Sequence, residues 1–200
     1  MLQNKRGILL SGGMDSMALA YLERPDIAFT INYGQRCAEA EIKASAYIAG
    51  VLNIRHEIIN VDCSSLGSGT LSGNPSLEGA PTEEWWPYRN QLLVTLACMK
   101  GISIGLDTLY IGSVSTDSER HKDGTDIFYR KLDDLISFQE GNIRIEVPAI
   151  NMTTLELIKK SKIPYAMLLH SHSCHTSNHP CMKCSGCYKN YMIRKQLGIE

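Results

Sequence analysis

Sulfur and imidazole are concentrated near one end of this chain: four of its seven cysteines and three of its six histidines fall within HSCHTSNHPCMKCSGC, residues 172–187. Cys174, Cys181, Cys184 and Cys187 follow C-x6-C-x2-C-x2-C, and thiolates separated by two residues wrap one metal ion in a tight loop. Four sulfur ligands close a tetrahedral zinc site and leave no position for water, which is the structural kind of site. A C-x2-C-x2-C run also occurs in iron–sulfur ferredoxins. His175 and His179 are the nearest substitutes for a cysteine that does not ligate.

A second group of chemically able residues lies at the other end, in LLSGGMDS, residues 9–16. Here Ser11, Gly12, Gly13, Asp15 and Ser16 stand between a short apolar run and a stretch of helix formers. Two glycines let the backbone turn tightly and bring its N–H groups close to an anion, and the following helix N-terminus adds partial positive charge. The stretch reads as a phosphate cradle. It is not a Walker A loop, which needs a lysine absent here, nor a G-x-G-x-x-G turn. The plainer alternative is a helix capped by Asp15 or Ser16 after a glycine turn.

The elements that must position these groups alternate. RGILL (6–10), IAFTINY (27–33), HEIINVD (56–62), TLYIGSV (108–114) and IRIEVPA (143–149) read as strands. Segments 15–23, 38–53, 89–105, 126–140 and 153–161 read as helices, with Ile42, Ala46 and Ala49 forming the apolar side of the second. Residues 63–87 are rich in Gly, Ser and Pro and have no period, so they predict a long loop, a candidate lid. Strands separated by helix-length segments predict an α/β fold, a doubly wound parallel sheet that binds ligands beyond its C-terminal strand ends. The cradle falls there. The cysteine segment 174–187 then reads as a clip stapling the C-terminal chain against that edge.

Composition limits the partners. With 44% hydrophobic and 20% charged residues, 200 residues make one domain, 1–200. Twenty basic against twenty-one acidic residues, net −1, argue against a chain built for direct nucleic-acid binding or an anionic membrane surface. The apolar run before Ser11 is too short for a signal peptide, and no run reaches membrane-spanning length, so the cytoplasm is expected. In that compartment close cysteines read as metal ligands, and the scattered Cys37, Cys63 and Cys98 as packing residues.

Four landmarks together resemble one family. Ser-Gly-Gly-x-Asp-Ser at 11–16 is similar to the loop of ATP pyrophosphatases, which cut ATP between its α and β phosphates. NYGQR (32–36), PYRN (87–90) and the cysteine segment resemble the corresponding stretches of the QueC (7-cyano-7-deazaguanine synthase) family. The resemblance implies an adenine-nucleotide-hydrolase-like fold and an ATP-dependent carbon–nitrogen ligase that adenylates the carboxylate of 7-carboxy-7-deazaguanine. Ammonia then displaces AMP, and a second ATP converts the amide to the nitrile. It implies ATP binding by Ser11, Gly12, Gly13, Asp15 and Ser16, with Asp15 and Ser16 catalytic and Mg²⁺ accompanying ATP. Tyr33, Gln35, Arg36, Arg89 and Asn90 would bind the base, and the four cysteines zinc rather than an iron–sulfur cluster.

The chain departs from the family pattern at Cys37, where a histidine is usual, and at 118–127, SERHKDGTDI, where a Tyr-Pro-Asp-Cys stretch is usual. Thr154 stands where a lysine is frequent, with Lys159 and Lys160 about a turn and a half further on, and Asn190 stands where an arginine is usual. Because the changes gather on the acceptor side, three readings stay open. One is the synthase. Another is a variant of the kind associated with antiphage defence, which stops at the amide and joins the base to a protein amine. The third is a nucleotide-binding module without turnover. A homodimer is compatible with all three.

Overall fold

The computed structural model describes residues 4–199. Residues 1–3 and 200 of the expected domain lie outside the described residues. Five parallel strands, β1 (Lys5–Leu9), β2 (Ile27–Asn32), β3 (Arg55–Asn60), β4 (Leu106–Tyr110) and β5 (Arg144–Glu146), form a sheet ordered β3-β2-β1-β4-β5. The chain moves outward from β1 to β3, then returns to lay β4 beside β1. The order therefore reverses between β1 and β4, and the crevice beyond their C-terminal ends is where such sheets bind ligands.

Helices cover both faces. On one lie α1 (Met14–Glu23) and α2 (Ala38–Leu52), and on the other α4 (Arg89–Ile102) and α6 (Asp126–Ser137), with the short α3 (Gly69–Ser72) and α5 (Ser115–Ser118) between them in the chain. After β5 come α7 (Thr154–Ser161), α8 (Tyr165–Leu168) and α9 (Ser185–Leu197). Met17, Leu19, Ile48, Leu157 and Ile158 pack on Ile8 in one core layer, while Val94, Leu109, Leu132 and Ile136 pack on Phe29 in the other. Each such side chain contributes roughly 1.5–3 kcal/mol by leaving water.

The expected alternation is present, with three corrections. The buried side of α2 is Ala44, Ser45, Ile48 and Ala49, turned away from the Ala46 predicted to belong to it, because the helix seats its small residues against the β1–α1 turn. Residues 63–87 are largely irregular but packed: Leu71 and Trp86 join Tyr33, Cys37 and Cys63 in a third apolar cluster above β2. Helix α9 was not expected, because it carries no apolar stripe and buries only Gly186 and Cys187.

The β1–α1 turn is built around Gly12. Its φ is +75°, and a Cβ there would stand 2.6 Å from Ala44 Cβ and 2.8 Å from the Glu41 carbonyl oxygen. The strain and the contact with helix backbone leave little room to relax. Gly12→Ala is accordingly expected to cost at least about 2 kcal/mol, read from denaturant unfolding. A loss within about 0.5 kcal/mol would contradict this seating of the turn.

Candidate active site and metal clip

Helix α1 starts at Met14 with Gly13 as its N-cap, in extended conformation and with no side-chain cap. The alternative in which Asp15 or Ser16 caps the helix is thus corrected: the chain is already helical at both. The first amides of α1 have no partner within the helix, which suits them to an anion. The loop hydroxyls are arranged around Gly13. Ser16 Oγ donates to the Gly13 carbonyl at 3.0 Å and lies 3.2 Å from Ser11 Oγ, and Gly13 N–H donates to Ser11 Oγ at 3.4 Å.

The loop opens into a cavity of about 330 Å³, lined by Ser11, Gly13, Asp15 and Ser16 on one side and by Tyr33, Glu41, Arg89 and Asn90 on another. Gly12 faces α2 instead of this space. Gly112, just past β4, packs against the start of α1: a Cβ on it would come within 3.1 Å of Ser16 Cα. A capping box, in which Thr153 accepts from Glu156 N–H and Glu156 accepts from Thr153 N–H at 2.8 Å, starts α7 so that Thr154 also faces the cavity.

Charge is distributed across this space. Burial raises the Asp15 pKa, against the attraction of Lys189, whose Nζ lies 2.9 Å from Asp15 Oδ2. The Thr154 hydroxyl is close enough to favour the charged carboxylate. Yet Thr154 Oγ1 and Asp15 Oδ1 are both buried without completing a hydrogen bond among the described residues. Further out, burial pushes the Tyr33 phenol well above its usual range, and its ring meets Trp86 edge to face at 4.8 Å. Arg89 loses charge stability by burial but regains more from Tyr33, Asp123 and Glu41 around it.

The base-binding candidates separate. Tyr33, Arg89 and Asn90 line the cavity, and Asn90 Nδ2 donates to the Asp123 carbonyl at 2.9 Å. Gln35 is 4% exposed and spends its amide within the protein: Oε1 accepts from Tyr33 N–H, and Nε2 donates to the Ile31 carbonyl and to Glu41 Oε2. Its place behind Glu41 makes it a support for that carboxylate. Arg36 is exposed and lies against Gly73, outside the cavity, because its neighbours Gln35 and Cys37 take the inward directions.

Sequence reasoning missed Glu41, Asp117, His172 and Lys189 among the cavity residues. Cys37 is more than packing, since its thiol donates to Glu41 Oε1 at 3.3 Å. Lys159 and Lys160, considered as replacements for a lysine at 154, are exposed on the far side of α7. The segment 118–127 closes onto the 63–87 loop through Glu84, which pairs with Arg120 at 2.7 Å and lies 3.7 Å from His121 Nε2. A smaller polar cavity of about 200 Å³ opens between them and shares Arg89, Asn90, Asp117 and Lys189 with the main one.

The four predicted cysteines converge: all four sulfurs lie within 4.8 Å of one another, and Cys181 and Cys187 are 3.9 Å apart. A tetrahedron with Zn–S bonds of about 2.3 Å has edges of about 3.8 Å, so the donor set fits zinc in number, chemistry and span. Backbone N–H groups of Lys183 and Cys184 point at Cys181 Sγ, and those of His175 and Cys187 at Cys184 Sγ, which favours thiolates. Neither His175 nor His179 is needed. The clip turns the chain onto the cradle: His172 N–H donates to the Gly12 carbonyl at 2.9 Å, and Asn190 Nδ2 bridges Ser171 and Ser173 at 3.2 Å each.

Gly186 makes the knot's tightness possible. A Cβ there would lie 1.9 Å from the Ser173 carbonyl and 2.7 Å from His175 Nε2. Gly186→Ala is expected to lower bound zinc well below one per chain and to lower thermal stability with it, as chelation should. Metal analysis and thermal unfolding read both, and full zinc content in the variant would contradict the geometry.

The profile of the family described as "Queuosine biosynthesis protein QueC" matches residues 6–196. A 7-cyano-7-deazaguanine synthase of Chlorobium phaeovibrioides is 30% identical, covering 98% of this chain and 94% of that protein. Proteins of the same name from Nitratiruptor sp. and Methanosarcina mazei are 29% and 26% identical, covering 92% and 96% of this chain and 90% and 94% of theirs. Among solved structures, an NMN synthetase from Francisella tularensis is similar with a TM-score of 0.48 at 16% identity, covering 98% of this chain and 78% of that one. With its profile match spanning the cradle, the base-side residues and all four cysteines, the chain belongs to the QueC family.

Proposed function

We propose that this chain is an ATP-dependent ligase that converts 7-carboxy-7-deazaguanine to 7-cyano-7-deazaguanine with ammonia. The observation that carries the reading is a single cavity holding both an uncapped helix N-terminus and a set of a buried aromatic with a half-buried carboxylate and guanidinium, Tyr33, Glu41 and Arg89. The first suits phosphates and the second a flat heterocycle with donors and acceptors on its edge. Membership of the family and the synthase name of its relatives support the same substrate pair.

The residues divide the work. A carboxylate resists attack by ammonia because it repels nucleophiles and its oxygen leaves badly, and adenylation removes both obstacles. The carboxylate oxygen attacks the α phosphorus of ATP and pyrophosphate departs. Ammonia then adds to the carbonyl carbon, AMP leaves with that oxygen, and a proton is released to give the amide. In the second round the amide oxygen attacks the α phosphorus of another ATP and pyrophosphate departs; AMP then carries the oxygen away, and loss of the two N–H protons leaves the nitrile. The loop amides and the hydroxyls of Ser11 and Ser16 neutralise the departing phosphates, and positioning supplies most of the rest.

Asp15, with one oxygen free of hydrogen bonds and Asp117 nearby, is suited to Mg²⁺ accompanying ATP. Zinc at Cys174, Cys181, Cys184 and Cys187 would supply structure and no chemistry. Among the described residues no helix is long and apolar enough to cross a membrane.

The expected products from enzyme, ATP, 7-carboxy-7-deazaguanine and ammonia are the nitrile by mass spectrometry and two AMP per nitrile by chromatography. Accumulation of the amide with one AMP would point to the variant that hands the acyl group to another amine. ADP as the main nucleotide product would overturn the adenylation chemistry.

A further inference from the structure

The cradle in this chain contains no lysine, and the cavity above it needs a positive charge if a triply or quadruply charged leaving group is to form there. Among the residues lining the two cavities there is one lysine, Lys189. It comes from α9, two residues after the last cysteine of the clip, and reaches across the fold to the loop. Its Nζ lies 2.9 Å from Asp15 Oδ2 and 3.8 Å from Asp117 Oδ1, and the side chain remains 41% exposed.

We propose that Lys189 is the cation that contacts the pyrophosphate departing from ATP, and that the four-cysteine clip delivers it to the loop. This rests on the adenylation reading above. The geometry separates its task from that of Arg89, which faces the carboxylates of Asp123 and Glu41 beside Tyr33, on the other side of the cavity. Lys189 instead borders the start of α1 and opens to both cavities. A flexible ammonium parked between two carboxylates is free to turn toward phosphate oxygens when they arrive, while Asp15 and Asp117 keep it at the site. Across Asp15 from it stands Thr154, a cavity residue with an unpartnered hydroxyl, which could hold an ammonium of its own if it were lysine.

The test is pyrophosphate binding and ATP turnover by the zinc-loaded chain. Lys189→Met should weaken inorganic pyrophosphate binding by calorimetry at least about tenfold and lower kcat more than it raises the KM for the deazaguanine acid. Zinc should stay at one per chain. Lys189→Arg should keep much of both, and Thr154→Lys in the Lys189→Met background should restore pyrophosphate binding. A residue that merely braces the loop would shift the thermal midpoint without this pattern. Unchanged pyrophosphate affinity in Lys189→Met, in a wild-type chain that releases AMP, would overturn the role of Lys189 alone. Absence of AMP from the wild type would overturn the adenylation reading, and this proposal with it. If Lys189→Met fails to fold, the arginine variant and the double variant decide: no recovery of pyrophosphate binding in either, with zinc bound, overturns the proposal.

Discussion

A parallel sheet presents its ligand edge as loops, and a turn that leaves backbone amides free for an anion cannot close itself. Something must come from elsewhere in the chain to complete it. Here that is the C-terminal segment, tied to the β1–α1 turn by the His172 N–H bond to the Gly12 carbonyl and by the Lys189–Asp15 ion pair, which joins residues 174 positions apart. A backbone hydrogen bond is worth about 1 kcal/mol and a partly exposed ion pair rarely more, so these contacts alone do not hold the irregular residues 172–184 in place. Four thiolates gathered on one zinc ion would. They would turn a segment without an apolar core into a fixed wall of the cavity, so that a closed metal knot supports a candidate site in which it takes no chemical part.

The same constraint orders the other side. Tyr33 is fixed by Trp86, which the long 63–87 loop contributes, and the loop is in turn held by Glu84 through Arg120. Gln35 does not line the cavity but fixes Glu41 from behind, while Cys37 holds the carboxylate's other oxygen. Burial raises the Glu41 pKa, so its charge depends on these donors and on Arg89 nearby. The departures from the family pattern at Cys37 and 118–127 are thus part of a polar network, through Glu41 and Glu84. They are not loose ends.

Much of the fold was legible because most strands and helices advertise themselves by apolar runs or periods that match their burial, as in β1, β2 and α4, whereas the edge strand β3 buries none of its residues fully. Helix α9 was not legible for the converse reason: it buries only Gly186 and Cys187 fully and lays just Ile193 and Leu197 against the core, too few apolar positions in SGCYKNYMIRKQL to make a stripe. The cysteines were readable because metal coordination demands a local spacing, and the glycine turn because its conformation does. Glu41 and Lys189 carry no such mark. Lys189 meets Asp15 and Asp117, which are distant in the chain, and Glu41 reaches the cavity only because α2 crosses the turn, so only the folded structure reveals them. Arg36 shows the opposite failure, since a motif position beside Gln35 points outward once the backbone turns.

Amide hydrogen exchange, followed by mass spectrometry before and after the metal is removed by a chelator, tests most directly whether the clip builds the cradle. The account predicts faster exchange at residues 11–16 and 170–173 as well as in 174–187, while β1, β2 and β4 stay protected. Loss of protection confined to 174–187, with residues 11–16 unchanged, would contradict it.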